Sequence, residues 1–387
     1  MNVFNYYYSN VLKNETIEEL EKNKDLAIKI KDKLIKSSYI YKKRFSEKIE
    51  KELLKRIEKS IIDESILVVI DDSNLLSSFG ELFNDNDKVH YFNSNLSVDK
   101  ILEEIKLLEE TNFHILYLAQ DNEMSALVFR LLRNVLKRQS ADALDKITVL
   151  VDEDSKYIDY IREEKYYYLS FKSHDELLIS SLVILLSYLG KDEKSFLKGI
   201  EEEKEDFVRS DFKDNKVLIY SLIRYCLFNK GINKELVICF NEKLKPLIEY
   251  FKMLFNDYSR NNVYYDLISV NEIKRSMKFD DVFETFILVN KAEGDLILGI
   301  EDKDLDDLNY LFGRKLSYLN KTLETAISIK HSENNISNSI ISLDRMDEEA
   351  LGHLYMFLTL VSKVSRSLFD IDDKGIDYID SFKKIIL

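Results

Sequence analysis

The apolar positions of this chain come in two alternating rhythms. SILVVI (65–70), KVHYF (88–92), HILYLA (114–119), ITVLV (147–151) and YYYLSF (166–171) are short runs rich in β-branched and aromatic residues, bounded by charges. Runs of that length and composition predict strands buried on both faces, as in a parallel sheet. Between them lie stretches with apolar residues every three or four positions: 98–110, ALVFRLLRNVLKR (126–138), a segment near 154–163, and ELLISSLVILLSYL (176–189). These predict helices. Strand and helix in strict alternation give an α/β domain with a mostly parallel sheet.

The rhythm is purely helical at two places, the lysine- and glutamate-rich segment 16–62, read as two helices, and the segment from SFLKGIEEEKEDF to VLIYSLIRYCLFNK. It then restarts. ELVICF (235–240), VYYDLI (263–268), VFETFILV (282–289), DLILGI (295–300) and SNSIISL (337–343) predict strands. KLKPLIEYFKMLF (243–255), the long stretch from Leu305 to Lys330, EEALGHLYMFLTLVSKVSRSLF (348–369) and a last segment, GIDYIDSFKKII, predict helices. The fold class is therefore α/β, with two consecutive sandwich domains. Expected ranges are 1–62 for an N-terminal helical segment, 63–210 for the first domain and 211–387 for the second, ending in helices. A chain of 387 residues is long enough for two cores.

Charge and composition narrow the function. A net charge of −14 argues against nucleic acid, whose phosphates need clustered Lys and Arg. Nine glycines and one proline leave few of the tight turns that cradle phosphates. Cys226 and Cys239 lie in apolar runs without a CxxC spacing, which predicts buried free thiols and a reducing, cytoplasmic setting. The N-terminus lacks a basic region followed by an apolar run, so no signal peptide is expected, and no run is long enough for a membrane span. No cofactor is implied.

Several stretches carry a family resemblance. DDLNYLFGRKLSYLNKTLETAISIKHSENNISN (306–338) is similar to Asp-Gly-Leu-Asn-Tyr-Leu-Ala-Gly-Lys, a helix with Val-Asn-Lys, and His-Thr-Asp-Gly-Gly-Val-Pro-Asn of the glucose-6-phosphate isomerase family. EEALGHLYMFLTLVSKVSRSLFDIDDKGIDYID (348–380) resembles the family helix that begins Leu-Gly-Glu-Leu. VHYFNSNLSVDKILEEIKLLEETNFHILYL resembles the segment around Gly-Asn-Asn-Leu-Ser. The likeness spans roughly 60–387. It implies two domains of the sugar-isomerase (SIS) type, a sugar or sugar-phosphate ligand, a homodimer, and aldose–ketose isomerisation of glucose 6-phosphate to fructose 6-phosphate in glycolysis and gluconeogenesis.

That chemistry needs a carboxylate base, positive groups for the enediolate, a ring-opening acid–base pair and a phosphate cradle. By the resemblance, the glycine-rich first turn has become VIDDS, keeping Ser73 but placing Asp71 and Asp72 where glycines stood. The phosphate loop has become Gln120, Asp121, Asn122 and Glu123, and ionised carboxylates accept hydrogen bonds but donate none. The bland readings are helix caps: Asp72 or Ser73 for one helix, Asp121 and Asn122 for the next. Glu176 stands where an arginine is expected, in an HDE run (174–176) whose adjacent residues cannot converge on one metal ion, so no metal site is expected. Asp257 falls near the base position, one methylene short, with a plain turn or cap as the alternative. Asp380 replaces a lysine. His331, in what reads as a polar loop, matches the ring-opening histidine. The substitutions favour a protein that keeps the fold as a binding, scaffold or regulatory protein. An active isomerase is the alternative, and an acidic cleft for an uncharged or amino sugar is a third reading.

Overall fold

The computed structural model describes residues 3–11, 14–37, 65–83, 88–95, 97–258, 262–266, 282–291, 294–371 and 384–386. By contact the chain divides into two compact units that interleave along the sequence. One is Met1–Ser37 with Lys194–Ile371, and the other is Ser38–Glu193 with Asp372–Leu387. The sequence-expected ranges run in chain order instead, and much of the second predicted N-terminal helix and the C-terminal segment GIDYIDSFKKII lie outside the described residues.

The unit of the middle chain is a five-stranded, all-parallel sheet in the order β3-β2-β4-β5-β6. Its strands are β2 (Ile66–Ile70), β3 (Val89–Phe92), β4 (Phe113–Ala119), β5 (Ile147–Asp152) and β6 (Tyr167–Phe171). Their helices are α2 (Leu75–Leu82), α3 (Val98–Glu109), α4 (Glu123–Gln139), α5 (Ile158–Glu163) and α6 (His174–Tyr188). Val68, Ile115, Tyr117, Val149 and Val151 meet Phe129 and Leu132 of α4 in one apolar layer. β-branched residues suit this position because both sheet faces are covered. α6 is apolar around its whole circumference and correspondingly buried from Leu177 to Leu186.

The other unit has a sheet in the order β1-β10-β9-β7-β8. β7 (Lys234–Ile238), β8 (Asn262–Asp266), β9 (Val282–Lys291) and β10 (Asn338–Arg345) are parallel. The N-terminal β1 (Phe4–Tyr7) adds antiparallel to β10, with Phe4 opposite Leu343. The start of the chain is thus an edge strand of this sheet. Its helices are α1 (Asn14–Ser37), α7 (Glu193–Arg209), α8 (Lys216–Asn229), α9 (Lys245–Tyr258), α10 (Leu316–Glu333) and α11 (Glu348–Phe369). The β7–α9–β8 and β9–α10–β10 crossovers run in opposite directions along the sheet. Right-handed connections therefore put α9 and α10 on opposite faces. α7 and α11 cross almost backbone to backbone. A Cβ at Gly199 would lie 2.1 Å from the Glu349 carbonyl, and one at Gly352 2.1 Å from the Phe196 carbonyl. Only glycine allows that approach.

Two expectations fail locally. DLILGI makes no strand: Ile297 forms an isolated bridge to Lys315, and Leu296, Ile297 and Ile300 are exposed. A short apolar run marks a strand only when something covers it. The predicted long helix from Leu305 begins only at Leu316, after a short 3-10 turn at Asn309–Leu311. Both cysteines are buried and free, and burial raises their thiols, Cys226 to about 11 and Cys239 to about 12. No described helix is long and apolar enough to cross a membrane.

Candidate functional site

In a parallel α/β sheet, ligands meet the chain where strands end and helices begin, because helix N-termini present unpaired N–H groups there. At that edge of the middle-chain unit, the chain's own side chains hold these donors. β2 runs into Asp71, which is buried. Its Oδ1 accepts from the Ser73 N–H at 2.9 Å and the Ser73 hydroxyl at 2.7 Å, and its Oδ2 accepts from the Leu76 N–H at 3.0 Å. A carboxylate therefore occupies the position an anionic ligand would take. The sequence points to Asp72 or Ser73 as the cap. Ser73 contributes, accepting from Leu75 N–H at 3.2 Å, but Asp71 is the residue aimed at the helix. Asn74, in the left-handed region at φ +59°, turns the chain tightly enough for that return.

β4 ends the same way. Asn122 caps α4, accepting from the Met124 N–H at 2.8 Å. Asp121 is no cap: it sits at φ +55° and accepts from the Ser155 hydroxyl. Glu123 pairs with Lys156 at 3.2 Å. Glu176 lies in the first turn of α6, where the Ser173 hydroxyl accepts from its N–H at 3.2 Å and its own carboxylate accepts from the Lys172 N–H at 3.4 Å. This close relative of the capping box gives Glu176 a local duty. Beside it, the half-exposed His174 has Asp152 3.6 Å away, and that carboxylate holds its pKa above the ordinary value.

Some polar atoms at this edge stay unmatched. Among the described residues, Gln120 Nε2, Asp152 Oδ1 and both Asp72 oxygens are buried without a hydrogen-bond partner. Desolvation pushes the Asp72 carboxyl up. Ser94 and Ser125 oppose that shift from nearby without forming a well-shaped hydrogen bond. Around Asp71 a cleft of about 460 Å³ opens, lined also by Glu81, His90, Asn93, Lys100 and Glu104. Its His90 Nδ1 lies 2.6 Å from Glu104. The volume is within the ordinary range for small ligands, but the lining carries three carboxylates to one lysine.

The other unit holds Asp257 and His331. His331 is not in a loop. It lies in the last turn of α10, 1% exposed, with Nδ1 2.6 Å from Glu284 Oε2 at the start of β9. Its Nε2 and the other Glu284 oxygen are buried without a partner among the described residues. Ser328, three residues earlier, joins Asn338 and Asn10 in a hydrogen-bonded cluster, so Asn338 is buried while Glu333, Asn334 and Asn335 of the polar turn stay exposed. Asp257 is exposed in the last turn of α9, on the opposite face of the sheet. Partial desolvation alone raises its pKa, and no hydrogen bond among the described residues aims it. The structure thus places the two on different helices, on opposite faces of this sheet. Asp380 lies outside the described residues.

Sequence reasoning did not find the polar core of this unit. Arg224 and Glu235, both fully buried, pair at 2.7 Å. Tyr220 donates to Glu235 and Thr285 Oγ1 adds a bond at 2.8 Å, while Arg224 reaches Ser365 at 3.0 Å and lies over the Phe255 ring. Glu324 of α10 is buried, and desolvation lifts its carboxyl to about 7 against one bond from the Phe240 N–H. A polar residue inside a predicted strand, as in VFETFILV and ELVICF, was the available signal.

No protein-family model matches the chain. Curated glucose-6-phosphate isomerases of Bacillus cereus (strain AH187) and Bacillus anthracis are each 23% identical over 317 residues, covering 77% of this chain and 70% of theirs. A hypothetical protein from Thermus thermophilus superposes with a TM-score of 0.78 at 13% identity, over 99% of both chains. A glucose-6-phosphate isomerase from Chlamydia trachomatis superposes with a TM-score of 0.74 at 13% identity, over 99% of this chain and 87% of that one. The structural likeness shows the fold, and the sequence likeness covers 77% of this chain. The chain is thus similar in sequence to glucose-6-phosphate isomerases through most of its length, at low identity, and similar to one of them in fold along nearly all of it.

Proposed function

We propose that the protein is a non-catalytic member of the glucose-6-phosphate isomerase family, which keeps the sugar-isomerase fold for binding or regulation and no longer isomerises glucose 6-phosphate. One observation carries this reading. The Asp71 carboxylate and the Asn122 carboxamide hold the N–H donors that a phosphate or an enediolate would need at the ends of β2 and β4. A dianion brought there meets a carboxylate already in place, and like charges at that range repel by several kcal/mol at an effective dielectric of about 20. His331, bonded to a buried glutamate and sealed from solvent, supports the same reading.

A coupled assay for fructose 6-phosphate formation tests it. The wild-type chain, Asp257→Ala and His331→Ala should all give the background rate. Turnover by the wild type that disappears in either variant would sink the proposal.

The cleft beside Asp71 favours a neutral or amino sugar over a phosphate ester, because Asp71, Glu81 and Glu104 outnumber Lys100. A thermal-shift panel should show stabilisation by an amino sugar and none by the corresponding phosphate. We further propose a homodimer in which a second copy covers the segment 296–312. Leu296, Ile297, Ile300, Leu305, Tyr310 and Phe312 are all more than half exposed there. Such clustering along one segment differs from the scattered single apolar exposures of an ordinary monomer surface.

A further inference from the structure

The crossing of α7 and α11 builds a cluster that neither the fold nor the isomerase chemistry requires. Glu202 stands on α7. Glu349 and His353 stand one turn apart on the same face of α11. One ligand atom from each lies within 4.8 Å of the other two, and His353 Nε2 is 3.3 Å from Glu202 Oε2. Two ligands each about 2.1 Å from a tetrahedral ion lie about 3.4 Å apart, so this spacing already suits a shared metal. The other face of the imidazole is fixed from behind. Its Nδ1 lies 3.2 Å from Glu203 Oε2, and Glu203, 1% exposed, is held in turn by Lys216 at 3.0 Å. A carboxylate on the far nitrogen, leaving Nε2 as the outward lone pair, is the arrangement that orients metal-binding histidines.

Three further features support the assignment. Gly199 against the Glu349 carbonyl and Gly352 against the Phe196 carbonyl bring the two helices backbone to backbone, so the ligands sit on closely packed elements. His353 is 8% exposed and Glu202 is exposed, which makes the site a shallow one, anchored inside and open to solvent. A cation is already drawn to the carboxylates: Lys198 Nζ lies 2.9 Å from Glu349 and 3.8 Å from Glu202. That ammonium is itself half exposed, and exposed pairs of this kind are weakly held.

We infer that Glu202, Glu349 and His353 form a binding site for one divalent transition-metal ion, with Glu203 as the positioning residue behind His353. One imidazole nitrogen with two carboxylate oxygens suits Zn²⁺ or its neighbours better than Mg²⁺ or Ca²⁺, which prefer all-oxygen shells. Three protein ligands leave a fourth position for water.

The test uses the untagged full chain, stripped with chelator and titrated with Zn²⁺ by calorimetry, and with Co²⁺ by visible absorption. One ion per chain should bind, with Co²⁺ giving the visible bands of a low-coordinate site. Glu202→Gln and Glu349→Gln alter half-exposed or exposed side chains, so the fold survives them, and each should weaken Zn²⁺ by at least tenfold. Glu203→Gln should weaken it about 10- to 100-fold through the histidine. Lys198→Ala should tighten it by removing the competing ammonium, a gain no merely structural role predicts. No saturable Zn²⁺ binding by the wild type would overturn the inference, and so would binding of unchanged affinity in both Glu202→Gln and Glu349→Gln.

Discussion

The two sheets treat polar groups in opposite ways. In the middle-chain unit the buried strand positions are apolar, and carboxylates gather where strands end, Asp71 tied to a helix start, Asp121 to a hydroxyl and Glu123 to an ammonium. In the other unit, charged and hydroxyl residues stand inside the strands themselves: Glu235, Glu284, Thr285, Asn338 and Ser339 are all buried. The first arrangement costs less where, as at Asp71, the buried carboxylate gains backbone N–H partners; Asp72 lacks them, and desolvation pushes its carboxyl up. The second demands a specific partner for every charge, since an unpaired buried ion is far more expensive than an unmade cap. The first sheet is therefore tolerant of substitution at its functional edge, and the second is intolerant at its centre.

The largest test of that contrast is Arg224→Met. It leaves Glu235 buried without its ion-pair partner and should cost about 3–5 kcal/mol in urea unfolding. Arg224→Met with Glu235→Leu should recover most of the loss, because the uncompensated charge goes too. A single-variant cost below about 1 kcal/mol would erase the distinction between centre and edge.

Glu324→Gln comes next, with the opposite sign. Its folded pKa of about 7 lies above the ordinary 4.5. Below the unfolded value both states hold the proton and the group contributes nothing. Between the two values the unfolded chain ionises while the folded chain stays protonated, so stability falls as pH rises, and the deficit persists above 7. Glutamine keeps the acceptor for the Phe240 N–H and removes the titration. The variant should gain up to roughly 3 kcal/mol at pH 8 and nothing near pH 4. An equal change at both values would show that desolvation of this carboxyl is not the cause.

Asp71→Ala should cost about 1–2 kcal/mol, the scale of a lost helix cap. It also sharpens the functional side of the comparison. With the carboxylate gone, the N–H groups of Ser73 and Leu76 are unmatched, and inorganic phosphate should then raise Tm where it leaves the wild type unchanged. Leu305→Asp should have the smallest effect on the folded chain, within about 0.5 kcal/mol, as for an exposed site. It should nevertheless shift the mass measured by light scattering from dimer to monomer.

The α/β frame was legible because its signals are local. Runs such as ILVVI and ITVLV state their own burial, and the helices between them carry their own periodicity. Burial in DLILGI was misjudged because six residues cannot say whether anything lies above them. The antiparallel pairing of FNYY with the last strand left no trace in so short a segment. At the candidate site the residue identities were legible and their geometry was not. That Asp71 rather than Asp72 turns back onto α2 depends on the left-handed Asn74. His331 read as a loop residue because its surroundings are polar, while its burial comes from Glu284, distant in sequence. The Glu202–Glu349–His353 cluster was out of reach for the same reason: its two helices are about 150 residues apart, and the hint was a glycine inside each.

The first strand carries one more consequence, for the order of events at the ribosome. Phe4 is made about 340 residues before its partner Leu343. At synthesis rates of about 5–20 residues per second, that interval is on the order of tens of seconds. Through it, FNYY waits as an unsatisfied ribbon of backbone while Ser38–Glu193 is completed in between. The middle-chain unit has every strand of its sheet within about a hundred consecutive residues and is free to close first. Closing the other sheet is thus the later event, because its β1 edge waits for β10.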